Sequence, residues 1–157
     1  MVLSSVKSAL NNALVRDNMN CNIFRLKQWW RIIMTAEEIV MGGYAAFGSG
    51  DMEALGKIYH PECKTTFHGS HALGGEYVGF QDLLTNMLAR LNDAWPGFNL
   101  SVDKVVSDDT NVCVFCTFTA DGGLSGKGVH SFVVENGLEV SFDLYWDSAY
   151  WAEHCKI

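Results

Sequence analysis

The chain has 157 residues, 48% of them apolar and 18% charged, with only two prolines. That composition predicts a globular fold whose core buries roughly 70% of the surface the unfolded chain exposes. No run of about 18 apolar residues occurs, which argues against a membrane-spanning helix. The net charge of -7 is uneven. Residues 1–34 carry five bases against Asp17 alone, and the remainder is strongly acidic. An acidic body repels phosphate backbones, so nucleic acid is not the expected partner.

Residues 1–33 read as a helical arm and residues 34–157 as the compact domain. In the arm, Leu3, Val6, Leu10 and Leu14 fall at helical spacing. Bases and aromatics then interleave from Cys21 to Met34. Such a helix either docks on or extends the acidic body, or lies on anionic lipid. Thr35 followed by Glu38 is a capping box that starts a helix running to about Phe47. Ile39, Val40, Gly43, Tyr44 and Phe47 lie along one side of it. Gly48-Ser-Gly50 stops it, and Asp51 caps a second helix, Met52–Tyr59.

Cys63–His68 reads as a strand and 69–75 as a glycine-rich loop. Phe80–Ala94 reads as one amphipathic helix, with Leu83, Leu84, Met87, Leu88 and Leu91 inward. Three strands follow: Asn99–Ser107, Asn111–Thr119 and Gly128–Glu135. Helices first and mostly antiparallel strands afterwards is the α+β pattern. Cys113 and Cys116 look like a CxxC motif, but residues three apart on a strand face opposite sides, so packing is their expected role. The five cysteines, an odd number with no secretory signal ahead, are expected to be reduced thiols in a cytoplasm.

Asn136-Gly137 predicts a tight primed turn joining Gly128–Glu135 to a last strand, Leu138–Asp147. If those two residues are the whole loop, Glu135 pairs with Leu138 and His130 faces Asp143. Opposed residues share one side of a sheet with Cβ atoms about 5 Å apart, which would set an imidazole beside a carboxylate. The same register puts His130, Phe132, Val134, Ser141, Asp143 and Tyr145 on one face. It puts Val140, Phe142, Leu144 and Trp146 on the other, suited to packing or to a subunit contact. A one-residue bulge would exchange the faces of one strand.

Tyr44-Ala-Ala-Phe-Gly-Ser-Gly-Asp51 with Leu55 and Tyr59 resembles the opening of the nuclear-transport-factor-2-like superfamily. More closely, it is similar to the SnoaL-like and ketosteroid-isomerase-related branch. Phe67-His-Gly69 with Gly75–Gly79, then His130-Ser-Phe132, Asn136-Gly137 and Tyr145–Ser148, match that branch in order over residues 35–151. The resemblance implies a cone-shaped α+β barrel with a curved sheet around a long helix, an internal apolar cavity and a homodimer through the sheet. SnoaL-type cyclases place a His and an Asp on the two hairpin strands, where His130 and Asp143 stand. The ketosteroid isomerase pattern is incomplete. Gly43 falls at its helix tyrosine, with Tyr44 one step round, and Phe67 and His68 fall at its first-strand carboxylate. Epoxide-hydrolase relatives need an arginine that the hairpin strand lacks.

Expected catalytic residues are therefore His130 as base, oriented by Asp143, with His68 or Tyr44 polarising a substrate oxygen. Phe47, Trp95, Phe132, Tyr145 and Asp147 are the expected ligand-binding wall, although core packing, or helix capping for Asp147, explains each as well. His71 reads as a loop residue. No cluster has metal-ligand spacing and no phosphate-cradling loop occurs, so neither metal nor cofactor is expected. The expected function is a cofactor-independent isomerase, cyclase or dehydratase acting on a small apolar carbonyl or enol-type metabolite. The alternatives are a non-catalytic binder of hydrophobic molecules and an interaction module using Phe142 and Trp146.

Overall fold

The computed structural model of the chain describes residues 34–157. The helical arm expected over residues 1–33 lies outside the described residues. Helix α1 (Ala36–Ser49) begins as its sequence dictates. Thr35 Oγ1 accepts from the Glu38 backbone N–H, and the Glu38 carboxylate accepts from the Thr35 N–H at 2.9 Å. Gly50 ends the helix in the left-handed conformation, φ 74°. Asp51 then caps α2 (Met52–Gly56) through the Ala54 N–H. This helix is shorter than expected, because Tyr59 already belongs to strand β1 (Tyr59–Phe67).

Strand β2 (Gly75–Val78) occupies part of the expected loop. The expected long helix is broken. Helix α3 (Gly79–Asn86) stops at Met87, whose φ of -128° is not helical. A short 3-10 turn and helix α4 (Leu91–Ala94) follow. Strands β3 (Asn99–Ser107), β4 (Asn111–Ala120), β5 (Leu124–Glu135) and β6 (Leu138–Trp146) complete one sheet before helix α5 (Ser148–Glu153). The sheet order is β2-β1-β6-β5-β4-β3. All neighbours run antiparallel except β1 and β6. The α+β fold class is as expected, with α1 laid across β3, β4 and β5.

Asn136 and Gly137 both have positive φ, 51° and 76°, so the tight turn forms and Glu135 pairs with Leu138. The register holds for one further pair, Val134 with Glu139, and then shifts. Val133 pairs with Ser141, Phe132 with Phe142, and His130 with Leu144. Val140 is thus an extra residue in β6. This bulge exchanges the faces of the strand beyond it. Asp143 pairs with Ser131, on the side of the sheet away from His130, so the expected His130–Asp143 pair does not form. Phe142 and Trp146, expected on a contact surface, point into the core with Phe132 and Phe118. Alternation along β4 buries Cys116 and leaves Cys113 on the other side, as strand geometry requires.

Candidate active site

The inner face of the sheet and one face of α1 enclose an apolar cavity of about 80 Å³. Helical spacing explains the α1 contribution: Val40, Gly43, Tyr44 and Phe47 recur at intervals of three and four and all line it. Gly43 allows the helix to sit close. A Cβ there would stand 2.6 Å from Ile58 Cδ1 and 3.7 Å from Glu139 Oε1. From the sheet come Phe118, His130, Phe132, Glu139, Phe142 and Leu144. A second hollow of about 310 Å³ shares Tyr44, Phe47, Phe98 and Leu100 with the cavity and adds Gly48, Asn99 and Val102. It lies beside the cavity, between the C-terminal turn of α1 and the start of β3.

The polar groups of this cavity are few. Tyr44 Oη and His130 Nδ1 are 2.6 Å apart. The His130 side chain is 5% exposed, and its Nε2 has no hydrogen-bond partner. Phe142 and Phe118 present their rings to the imidazole at 5.1 and 5.4 Å. Burial in this apolar shell penalises the charged form and pulls the His130 pKa down to about 3. Tyr44 moves in the opposite sense: burial, then the Cys116 thiol and Glu139, hold its phenol far above the usual range. Both groups are therefore neutral at physiological pH.

Glu139 is the second polar feature, and sequence reasoning missed it. Its side chain is 1% exposed and Oε2 is unpartnered. Burial pushes its carboxyl up to about 8, against the opposing effect of a hydrogen bond from Tyr59. The signal was available, because the Asn136-Gly137 turn sets Glu139 opposite Val134, on the face of His130. His71 lies in the loop between β1 and β2, as expected, but not at the surface. It is buried and accepts the Trp146 indole N–H at 3.3 Å, while its own Nδ1 is unpartnered. Its ring is packed among Phe67, Trp95 and Trp146, and burial lowers its pKa.

The remaining expected residues divide. Phe47 and Phe132 line the cavity. Trp95 is fully buried behind the wall, donating its indole N–H to the Trp151 carbonyl at 3.0 Å, and does not line it. Tyr145 borders the cavity, but its ring stacks on His68 at 4.4 Å and is 47% exposed. Asp147 caps α5 by accepting from the Tyr150 N–H at 3.1 Å. His68 and Asp143 meet each other on the outer face, Nε2 to Oδ1 at 3.1 Å, with the Ser141 hydroxyl donating to Asp143. Neither lines the cavity. Among the described residues no group of three or more His, Cys, Asp or Glu side chains is placed to hold a metal ion. No described helix is long and apolar enough to cross a membrane.

Residues 41–142 match the family model described as the SnoaL-like domain. The match spans well over half of the chain, and the chain belongs to that family. No curated protein sequence matches it. Solved structures share the fold. An NTF2-like protein from Burkholderia thailandensis is 22% identical, with a TM-score of 0.72 over 78% of this chain and 98% of its own. Bal32a, from a soil-derived mobile gene cassette, is 26% identical, with a TM-score of 0.69 over 76% and 95%. A protein from Catenulispora acidiphila with a ketosteroid-isomerase-like fold, solved in complex with trimethylamine, is 16% identical, with a TM-score of 0.61 over 76% and 93%.

Proposed function

We propose that the chain is a cofactor-independent acid–base enzyme acting on a small, largely apolar carbonyl or enol-type molecule held in this cavity. The reaction class is isomerase, cyclase or dehydratase. The observation that carries the reading is the 2.6 Å contact between Tyr44 Oη and His130 Nδ1, with Nε2 left without a partner on the cavity wall. Tyr44 takes the orienting role expected of Asp143. When Nδ1–H donates to Tyr44 Oη, the Nε2 lone pair is free to accept a proton from a carbon next to a substrate carbonyl. The Tyr44 hydroxyl proton is then available to a substrate oxygen, where negative charge develops. Imidazolium and enolate form together in a low-dielectric site, so each offsets the desolvation of the other.

One observation favours a second reading, a binder without chemistry. The apolar shell that pulls His130 down to about 3 also makes it a weak base in the empty site. Proton exchange separates the two. Cyclohexanone in D2O should lose its α-protons faster with the wild-type protein than with His130→Phe, as followed by NMR. Binding without exchange supports the second reading, and absence of both overturns the cavity as a site.

The reading includes a homodimer through the sheet and a cytoplasmic setting. The outer face exposes Val106, Phe115 and Tyr145, which supports a subunit contact there. Sedimentation of Phe115→Asp tests it: an unchanged mass removes that face from the interface.

A further inference from the structure

Glu139 is an acid in a place that apolar side chains would stabilise better. An unpaired buried carboxyl costs several kcal/mol in principle, and a purely structural one would have both oxygens satisfied. Here Oε2 has no partner, the side chain is 1% exposed, and Glu139 forms no salt bridge among the described residues. The groups facing it are Tyr44 from α1 and Tyr59 and Cys63 from β1, all of them neutral in their ordinary state.

The backbone is arranged to aim it inward. In an unbroken strand Glu139 and Phe142, three apart, would face opposite sides. The extra residue Val140 lets both face the cavity. On its other flank, the pairing of β6 with β1 is also irregular, between Tyr59 and Lys64. Two irregularities bracket one inward acid, and bulges that re-aim a side chain are common beside functional sites.

Its position relative to His130 defines the ligand. Glu139 pairs with Val134, four residues along β5 from His130. That separates the two backbones by about 13 Å, and the side chains reach into the space between. The cavity therefore has two separate polar points, His130 with Tyr44 and Glu139, set among apolar side chains.

We propose that Glu139 is a second polar anchor of the cavity, binding a far oxygen of the ligand through its unpartnered carboxyl oxygen. The ligand class becomes a small apolar molecule with two oxygen functions, such as a hydroxy-ketone or a dione. This rests on the cavity reading above and narrows its substrate. Because burial holds the carboxyl up to about 8, Glu139 is an O–H donor at pH 6.5 and loses that proton above pH 8.

The test compares cyclohexanone with 4-hydroxycyclohexanone, neither of which titrates in the range used. Affinities are measured by NMR titration at pH 6.5 and pH 9. The wild type should bind the hydroxy-ketone about tenfold more tightly, the difference one buried hydrogen bond makes. Glu139→Leu should erase that preference while still binding cyclohexanone. Glu139→Gln, which keeps a donor and an acceptor, should retain the preference at both pH values. His130→Phe should weaken both ketones alike. A preference that survives in Glu139→Leu, or is absent from the wild type, overturns the anchor while leaving a His130-dependent site intact. Failure of the wild type to bind either ketone overturns both readings.

Discussion

Tyr44 and His130 stand 86 positions apart in the chain, yet Tyr44 Oη and His130 Nδ1 lie 2.6 Å apart on the wall of one cavity. A helix and a strand thus build the contact that the turn alone was expected to make. Tyr44→Phe removes the hydroxyl and leaves a buried ring nitrogen without a partner. The expected loss is about 1–3 kcal/mol of stability by urea denaturation, together with loss of the cyclohexanone exchange. Nitrogen-15 shifts of His130 should show its tautomer balance change. Unchanged shifts would mean the hydroxyl does not orient the ring.

Two buried groups shape the dependence of stability on pH. Glu139 goes from an ordinary 4.5 to about 8 on folding. The folded state then holds the proton longer than the unfolded one, so this contribution falls as pH rises from about 4.5 to 8. His130 goes from 6.5 to about 3, so its contribution falls as pH drops from about 6.5 toward 3. The lowered His71 adds to the same acid limb. Between pH 4.5 and 6.5 the opposing slopes offset each other. Melting temperature should therefore change least there and decline on both sides. Glu139→Gln should flatten the alkaline limb up to pH 8, and His130→Phe should reduce the acid limb.

Glu139→Leu should leave the protein as stable as the wild type at pH 8 or raise its stability by about 1–3 kcal/mol, since it removes a buried acid with one unpartnered oxygen. Calorimetry at pH 8 reads this directly. A fall of several kcal/mol would mean the Tyr59 hydrogen bond outweighs the cost of burying the acid.

His68 and Asp143 form a half-exposed pair on the outer face. Asp143→Asn should change stability by less than about 1 kcal/mol. It should leave cyclohexanone exchange at the wild-type rate. Loss of exchange would place that face in the chemistry.

Leu100 is shared by the cavity and the adjoining hollow, which makes it a candidate entrance. Leu100→Trp fills the entrance without touching a polar group. Cyclohexanone affinity should drop about tenfold or more, with the tautomer signature of His130 unchanged. Unimpaired binding would put the entrance elsewhere.

Local chemistry was legible in the sequence, and long-range packing was not. Thr35, Glu38 and Asp51 cap helices with side-chain bonds that close within three residues, and each does what its residue type implies. Asn136 and Gly137 set their turn for the same reason. The bulge at Val140 answers to packing on α1 and β1, far away in sequence, so nothing near the turn announces it. It moved Asp143 out of the site and brought Phe142, Leu144 and Trp146 in. The break at Met87 has no proline or glycine to mark it. Tyr44 was found on the apolar side of its helix, and His130 through an expected pairing with Asp143 that the bulge removes. Glu139 falls on the same face as His130 by the turn's register but was passed over, as an acid beside a turn reads as surface.

The parallel pairing of β1 with β6 joins the earliest and the latest strands of the sheet. During synthesis β1 has only its hairpin partner β2 until residues 138–146 leave the ribosome. The two-stranded and three-stranded pieces remain separate until then, each with an open edge. The closing strand unites them in one late step, so folding should be slow for a domain of this size and sensitive to C-terminal truncation.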